Sequence, residues 1–205
     1  ITIDLSFSNL TRAERNIAFI DVPGHEKLIK NMIAGAFGFD YVMLVISAKE
    51  GIMPQTIEHI QILELLDIKN LIVVITKKDL VDSEFLHNQE ESILSYLKSY
   101  NFDIKFVKKV SIYDENSINE LKNALFSINS NHKEAENFFR FYIDRAFSVK
   151  GIGTVVTGTV LGKKVELEEK VYLPHLQKET KIKNIQVHNQ NVIEADISNR
   201  AALNL

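Results

Sequence analysis

"NLIVVITKKDL", residues 70–80, decides the fold. Leu71 to Ile75 are five consecutive apolar residues, so the strand they form has no polar face and must be covered on both sides. Two lysines and an aspartate then end it. Outward from this strand the same pattern recurs. "YVMLVISA" (41–48) is nearly all apolar, and "NIAFIDV" (16–22) and "KFVKKVS" (105–111) read as further strands. Between them lie helical periods. "HEKLIKNMIAGA" (25–36) puts Leu28, Ile29, Met32 and Ile33 on one face. "PQTIEHIQILELL" (54–66) opens with Pro in the first turn, where the missing N–H costs nothing. "SEFLHNQEESILSYLKSY" (83–100) and "SINELKNALFSI" (117–128) complete the set. Strands alternating with helices predict an α/β unit, a mostly parallel sheet flanked by helices.

The polar run "NSNHKEAEN" (129–137) breaks the pattern, and a boundary is expected between residues 134 and 135. After Phe138 the helical period disappears. "FFRFYIDRAFSV", "GTVVTGTVL", "KVYLPHL", "TKIKNIQV" and "RAALNL" read as short strands with turn residues between them, which predicts a small antiparallel β-barrel. Phe138, Phe139 and Phe141 are expected to fill that barrel or the face between the two units. The terminal runs "ITIDLSF" and "RAALNL" both read as strands in mid-course, so the chain is expected to be a fragment of a longer protein.

Composition narrows the function classes. The 205 residues are 45% hydrophobic and 25% charged, ordinary for a soluble globular chain. A net charge of -3 gives no overall footprint for nucleic acid, though a local basic patch stays open. The absence of cysteine excludes disulfide frameworks, zinc–thiolate sites and thiol catalysis. No apolar stretch reaches bilayer length, and no signal peptide is expected. A cytoplasmic location without a membrane partner is expected.

Two motifs carry chemistry. Thr76, Lys77 and Asp79 follow a buried strand, and open parallel sheets bind ligands at the carboxyl ends of their strands. A carboxylate there can accept from two adjacent donors, the N1–H and exocyclic amine of guanine, while a lysine stem lies over the base. By itself a short Lys–Asp turn is usually a solvated strand end. The second motif is "DVPGHEKLIKNMIAG" (21–35). Asp21 ends a strand and can hold a magnesium shell. Gly24 lets its backbone N–H approach a phosphate. His25 opens a helix and can orient a water for attack on that phosphate. The two motifs occur in the right order on an alternating strand–helix pattern. His59 reads as a helix-face residue, His132, His175 and His188 lack metal-ligand spacing, and Glu90 with Glu91 reads as a solvated face.

This constellation resembles the translational GTPases. "DVPGHEKLIKNMIAG" is similar to their third motif and second switch, "TKKD" to their fourth, and "KKVSIYDENSI" to their fifth, with Ser111 and the Ile112 backbone near guanine O6. The family usually has Ser-Ala there, so Ile112 is a departure. "ITIDLSF" resembles the end of the first switch, where Thr2 would bind magnesium. Elongation factor Tu typically reads P-G-H-A-D and N-K-C-D, whereas this chain has Pro23-Gly24-His25-Glu26 and Thr76-Lys77-Lys78-Asp79. With "YIDRAFSVKGIGTVVTGTV" and "NRAALNL", nearly the whole chain resembles the selenocysteine-specific elongation factors (SelB type).

That resemblance implies GTP or GDP with Mg2+ as cofactors, and His25 as the hydrolytic residue. It also implies delivery of selenocysteyl-tRNA to the ribosome at recoded UGA codons. An mRNA hairpin would be bound through C-terminal regions absent from this chain. It further implies an aminoacyl pocket at Asp144, Arg145 and Arg200. Two guanidiniums favour a selenolate over a neutral serine hydroxyl, and an adjacent carboxylate can hold them. Alternatives are another tRNA-binding translational GTPase, of the elongation factor Tu or initiation factor 2 gamma type, and a non-hydrolysing G-domain scaffold. No G-x-x-x-x-G-K-[ST] phosphate cradle occurs in the 205 residues. The first strand and cradle are expected upstream of residue 1, and the chain alone is expected to be inactive.

Overall fold

A computed structural model describes residues 6–13, 15–22, 40–128, 137–187 and 190–205. The expected helix at 25–36, Thr2, Gly24, His25, and the boundary at 134 and 135 lie outside the described residues.

Three parallel strands carry the first half: β3 (Val42–Ser47), β4 (Asn70–Thr76) and β5 (Asp103–Lys109), in the order β3-β4-β5. Strands β1 (Ser6–Arg12) and β2 (Arg15–Asp21) pair antiparallel as a separate hairpin, with Ala13 at a φ of 52° in its turn. Residues 16–22, expected as a member of the parallel sheet, are therefore corrected to a hairpin strand. Their apolar side chains still find that sheet. Ile17 and Phe19 pack on the cluster of Ile72, Val74, Val110 and Leu125.

The helices are α1 (Pro54–Leu65), α2 (Ser83–Leu97) and α3 (Glu115–Ser127). Helices α2 and α3 each start at an aspartate that accepts from their free amides. Asp82 accepts from the Phe85 N–H at 2.8 Å, and Asp114 from Asn116 and Ser117. At α1 the Met53 N–H donates to Thr56 Oγ1 at 3.3 Å. Leu44, Ile46, Leu71, Val73 and Ile75 face one side of the sheet and bury Ile60 and Leu63 of α1 with Ile93 and Leu97 of α2. On the opposite side the Ile72–Val74 cluster meets Ile118 and Leu121 of α3. Helices thus flank both faces of β4, whose residues Leu71 to Ile75 are all buried. Edge strand β3 differs from the fully covered strand expected. Met43 is 36% exposed and Val45 52%, while Leu44 and Ile46 are buried.

Two arginines fasten the hairpin to α3. Arg12 donates to Asn123 Oδ1 at 2.8 Å and lies 4.5 Å over the Phe126 ring. Arg15 donates to the carbonyls of Phe126 and Ile128, satisfying acceptors that the helix end leaves open. Glu90, expected on a solvated face, instead pairs with Lys109 of β5 at 2.6 Å, because α2 lies across that strand's end. Glu91 pairs with His87 one turn away.

The second half is entirely antiparallel. Its strands are β6 (Arg140–Val149), β7 (Gly153–Leu161), β8 (Val165–Glu166), β9 (Lys170–Leu173), β10 (Lys178–Lys181), β11 (Asn184–Val187), β12 (Gln190–Val192), β13 (Glu194–Ala195) and β14 (Arg200–Asn204). Five form one sheet in the order β12-β11-β14-β7-β6. The pairs β8–β13 and β9–β10 stand as separate small sheets. One apolar core in this half includes Val156, Val160, Val165, Ile182, Ile185 and Leu203. Phe139 and Phe141 stack at 6.0 Å and pack against it, whereas Phe138 is 58% exposed beneath Arg140.

Candidate functional site

The carboxyl ends of β4 and β5 build the first site. Thr76 ends β4; its hydroxyl donates to the Ile46 carbonyl at 3.3 Å and its carbonyl accepts from the Ala48 N–H at 2.8 Å. Lys77 takes a left-handed conformation, φ 57°, which swings the chain off the strand into a 3-10 turn over Lys78–Leu80. Its ammonium lies 3.5 Å from Glu50. The β5 end follows alongside. The Val110 N–H donates to the Ile75 carbonyl at 2.8 Å, and the Lys78 N–H to the Val110 carbonyl at 3.3 Å.

Ser111 is buried there. Its hydroxyl accepts from the Tyr113 N–H and its own N–H donates to Ser117 Oγ, both at 3.1 Å. Ile112 and Tyr113 stand out into solvent, 83% and 84% exposed. Lys78 reaches across to Asp114 at 2.7 Å. That ammonium, helped by the Ser117 amide, holds the Asp114 carboxyl below the usual carboxylate range. Between the two loops lies a cleft of about 430 Å³ lined by Lys78, Asp79, Ser83, Ser111, Tyr113 and Asp114. Asp79 has no hydrogen bond or ion pair among the described residues, so its carboxylate is an available acceptor in the cleft. Thr76, Lys77, Asp79, Ser111 and Ile112 are thus brought to one end of one sheet. Asp21 ends β2 opposite Ser6.

The second site is a charged cluster on the antiparallel sheet. The register of β6 on β7 shifts between Ile143, opposite Gly158, and Arg145, opposite Thr157. Asp144 is the extra residue of this bulge, and bulges re-aim side chains. Its carboxylate accepts both terminal nitrogens of Arg200, one of them at 2.9 Å, and the Thr157 hydroxyl at 2.7 Å. That hydroxyl in turn accepts from Arg200 Nη2 at 3.4 Å. The pair is well sheltered, with 8% of the Asp144 side chain exposed and 17% of Arg200. The Phe7 ring of β1 covers the cluster, 3.5 Å from the Arg200 guanidinium carbon and 5.4 Å from that of Arg145.

Asp144 therefore holds Arg200 by a two-pronged bond, and the ring lies against both arginines. Asp144, Arg145 and Arg200 thus stand together beside one aromatic ring. Phe7 and Thr157 were not singled out from the sequence. The Phe at the end of "ITIDLSF" and the hydroxyl within "GTVVTGT" are the signals that carry them.

Among the described residues no group of three or more His, Asp or Glu side chains is placed to hold a metal ion. His59 is half-buried on α1, and burial lowers its pKa from the ordinary 6.5 although Glu58 opposes this. His132 and His188 lie outside the described residues. No helix among the described residues is long and apolar enough to cross a membrane.

Comparisons with known proteins bear on the chain as a whole. The family model described as the elongation factor Tu GTP binding domain matches residues 1–157. The chain is 39% identical over 210 residues to the selenocysteine-specific elongation factor of Haemophilus influenzae, covering all of this chain and 32% of that protein. It is 38% identical over 208 residues to that of Desulfomicrobium baculatum, covering all of this chain and 33% of the relative. The chain thus spans about a third of the length of these curated relatives. Among solved structures, the translation elongation factor SelB from Methanococcus maripaludis in complex with the GTP analogue GppNHp superposes with a TM-score of 0.86. That match has 33% identity and covers 98% of this chain and 45% of the other. By its match to the family model over more than half its length, the chain belongs to the family of the elongation factor Tu GTP binding domain.

Proposed function

We propose that this chain forms the guanine-nucleotide unit and the following β unit of a selenocysteine-specific elongation factor. On this reading the whole protein is a GTPase that delivers selenocysteyl-tRNA to the ribosome at recoded UGA codons. The observation that carries it is the sheltered Asp144–Arg200 pair with Arg145 and Phe7 alongside. A selenol is largely ionised at neutral pH and a serine hydroxyl is not, so sheltered guanidinium groups would favour the selenolate by charge. The overall likeness to the selenocysteine factors supports the same reading. The mRNA hairpin would be recognised by regions beyond residue 205.

The guanine assignment fits the residues present. Asp79 offers a carboxylate without a partner among the described residues, at a strand end and in a cleft. Thr76, Lys77, Ser111 and Ile112 complete the base site, with Gly24 at the terminal phosphate. Asp21 and Thr2 would hold Mg2+, which supplies charge neutralisation at the phosphates. His25 would orient the attacking water. Residues 1–134 form the nucleotide unit and 135–205 a β-barrel in this assignment.

The deciding experiment compares seryl- and selenocysteyl-tRNA binding to the full-length protein. Strong preference for the selenocysteyl form is expected, and equal affinities reject the assignment. The isolated 205 residues, lacking a G-x-x-x-x-G-K-[ST] cradle, are expected to bind GDP more weakly than micromolar and to be inactive. A calorimetric titration giving micromolar or tighter binding refutes that.

A further inference from the structure

We infer that Lys78 and Asp114 form a clamp that sets guanine selectivity, by fixing the distance between the loop carrying Asp79 and the loop carrying Ser111 and Ile112. The inference rests on the guanine reading above. Lys78 occupies the variable third position of T-K-x-D, to which the sequence assigned no role.

The geometry ties it to both readers. Lys78 directly precedes Asp79, and its ammonium lies 2.7 Å from Asp114 Oδ2. The other oxygen, Oδ1, accepts from the Asn116 N–H at 3.1 Å and the Ser117 N–H at 3.3 Å, so the carboxylate is anchored on the first turn of α3. From the same turn Ser117 Oγ donates to the Asp114 carbonyl at 2.7 Å and accepts from the Ser111 N–H at 3.1 Å. Asp114 is thus the hub of the Ser111 loop, and Lys78 joins that hub to the Asp79 loop.

Without the ion pair, the backbone bond from the Lys78 N–H to the Val110 carbonyl, at 3.3 Å, remains as the described link between the loops. Lys78 is 28% exposed and Asp114 39% by side chain, and ion pairs this open add little to global stability. Their effect is local. They act as positioning residues, holding the Asp79 carboxylate and the Ile112 N–H at the spacing one base can bridge.

Affinity for GDP and for IDP tests this in the full-length protein. IDP lacks the 2-amino group that Asp79 would accept from, so the GDP-to-IDP ratio reads that contact and cancels phosphate binding. The wild type is expected to prefer GDP by about tenfold or more, the worth of one charge-assisted hydrogen bond. Lys78→Met and Asp114→Asn should each shrink the ratio roughly three- to tenfold, since Asn keeps the helix cap but not the charge. Lys78→Arg should restore it. An unchanged ratio in both Lys78→Met and Asp114→Asn overturns the clamp, as does an equal loss for GDP and IDP. A wild type with no GDP preference overturns the guanine reading itself.

Discussion

At Gly158 the backbones of two strands leave no room for a side chain. A Cβ there would stand 2.2 Å from the Tyr142 carbonyl and 2.9 Å from the Phe141 ring. Gly158→Ala is therefore expected to cost about 2–4 kcal/mol by overpacking, read by urea denaturation of the chain. The same close approach sits beside the bulge that turns Asp144 toward Arg200. Asp144→Ala would leave a sheltered guanidinium without its carboxylate, so a loss of about 2–4 kcal/mol is expected in the same assay.

His59 adds a pH dependence of known sign. Burial lowers its pKa from 6.5, so the folded chain resists protonation there. The stability this protects is complete above pH 6.5 and is lost as pH falls toward the lowered value. His59→Gln should flatten the stability-against-pH curve just below 6.5, and an identical curve would remove His59 as a cause. That Asp144, Arg145 and Arg200 lie together was legible by motif. Thr157 and Phe7 were not, because a one-residue register shift and a contact between distant strands decide their neighbours.

Elements were legible where local chemistry sets them. Pro54 marks a helix start and Leu71 to Ile75 mark the strand buried on both faces, whereas α3 begins at Glu115, two residues before the start expected, because Asp114 caps it. Pairing was less legible. Apolar runs at 16–22 and 41–48 look alike, yet the first joins a hairpin and the second a parallel sheet edge. Hydrogen bonding across strands depends on what lies beside them, and period alone does not encode it. Short strands such as β8, β12 and β13 hold two or three residues and leave no period to read. The hairpin's seat on α3 is likewise long-range. Arg15 satisfies the carbonyls of Phe126 and Ile128. Arg15→Ala should cost about 1–2 kcal/mol and speed amide hydrogen exchange in β1 and β2 above that in β4. Equal protection in both would show that the apolar contacts of Ile17 and Phe19 suffice.

Across the whole molecule, Phe7 is where the first half meets the Asp144–Arg200 cluster of the second. The strand that carries it is fastened to α3 through its hairpin turn, and α3 begins at Asp114 beside the guanine loop. Its ring meets Arg200 on the last strand of the antiparallel half. A chain of contacts therefore runs from one candidate site to the other, and one of its steps is the Phe7 ring against the Arg200 guanidinium. Such a contact contributes about 0.5–2 kcal/mol, depending on how dry it is. Arg200 is 17% exposed by side chain, which favours the upper part of that range. A double-mutant cycle isolates the step, because Arg200→Met also strands Asp144, and that cost cancels between the two arms. Phe7→Ala, Arg200→Met and the double variant, measured by chemical denaturation, should give a coupling of about 1 kcal/mol. Strict additivity would mean that the ring only rests against the pocket, and that the two halves are joined elsewhere.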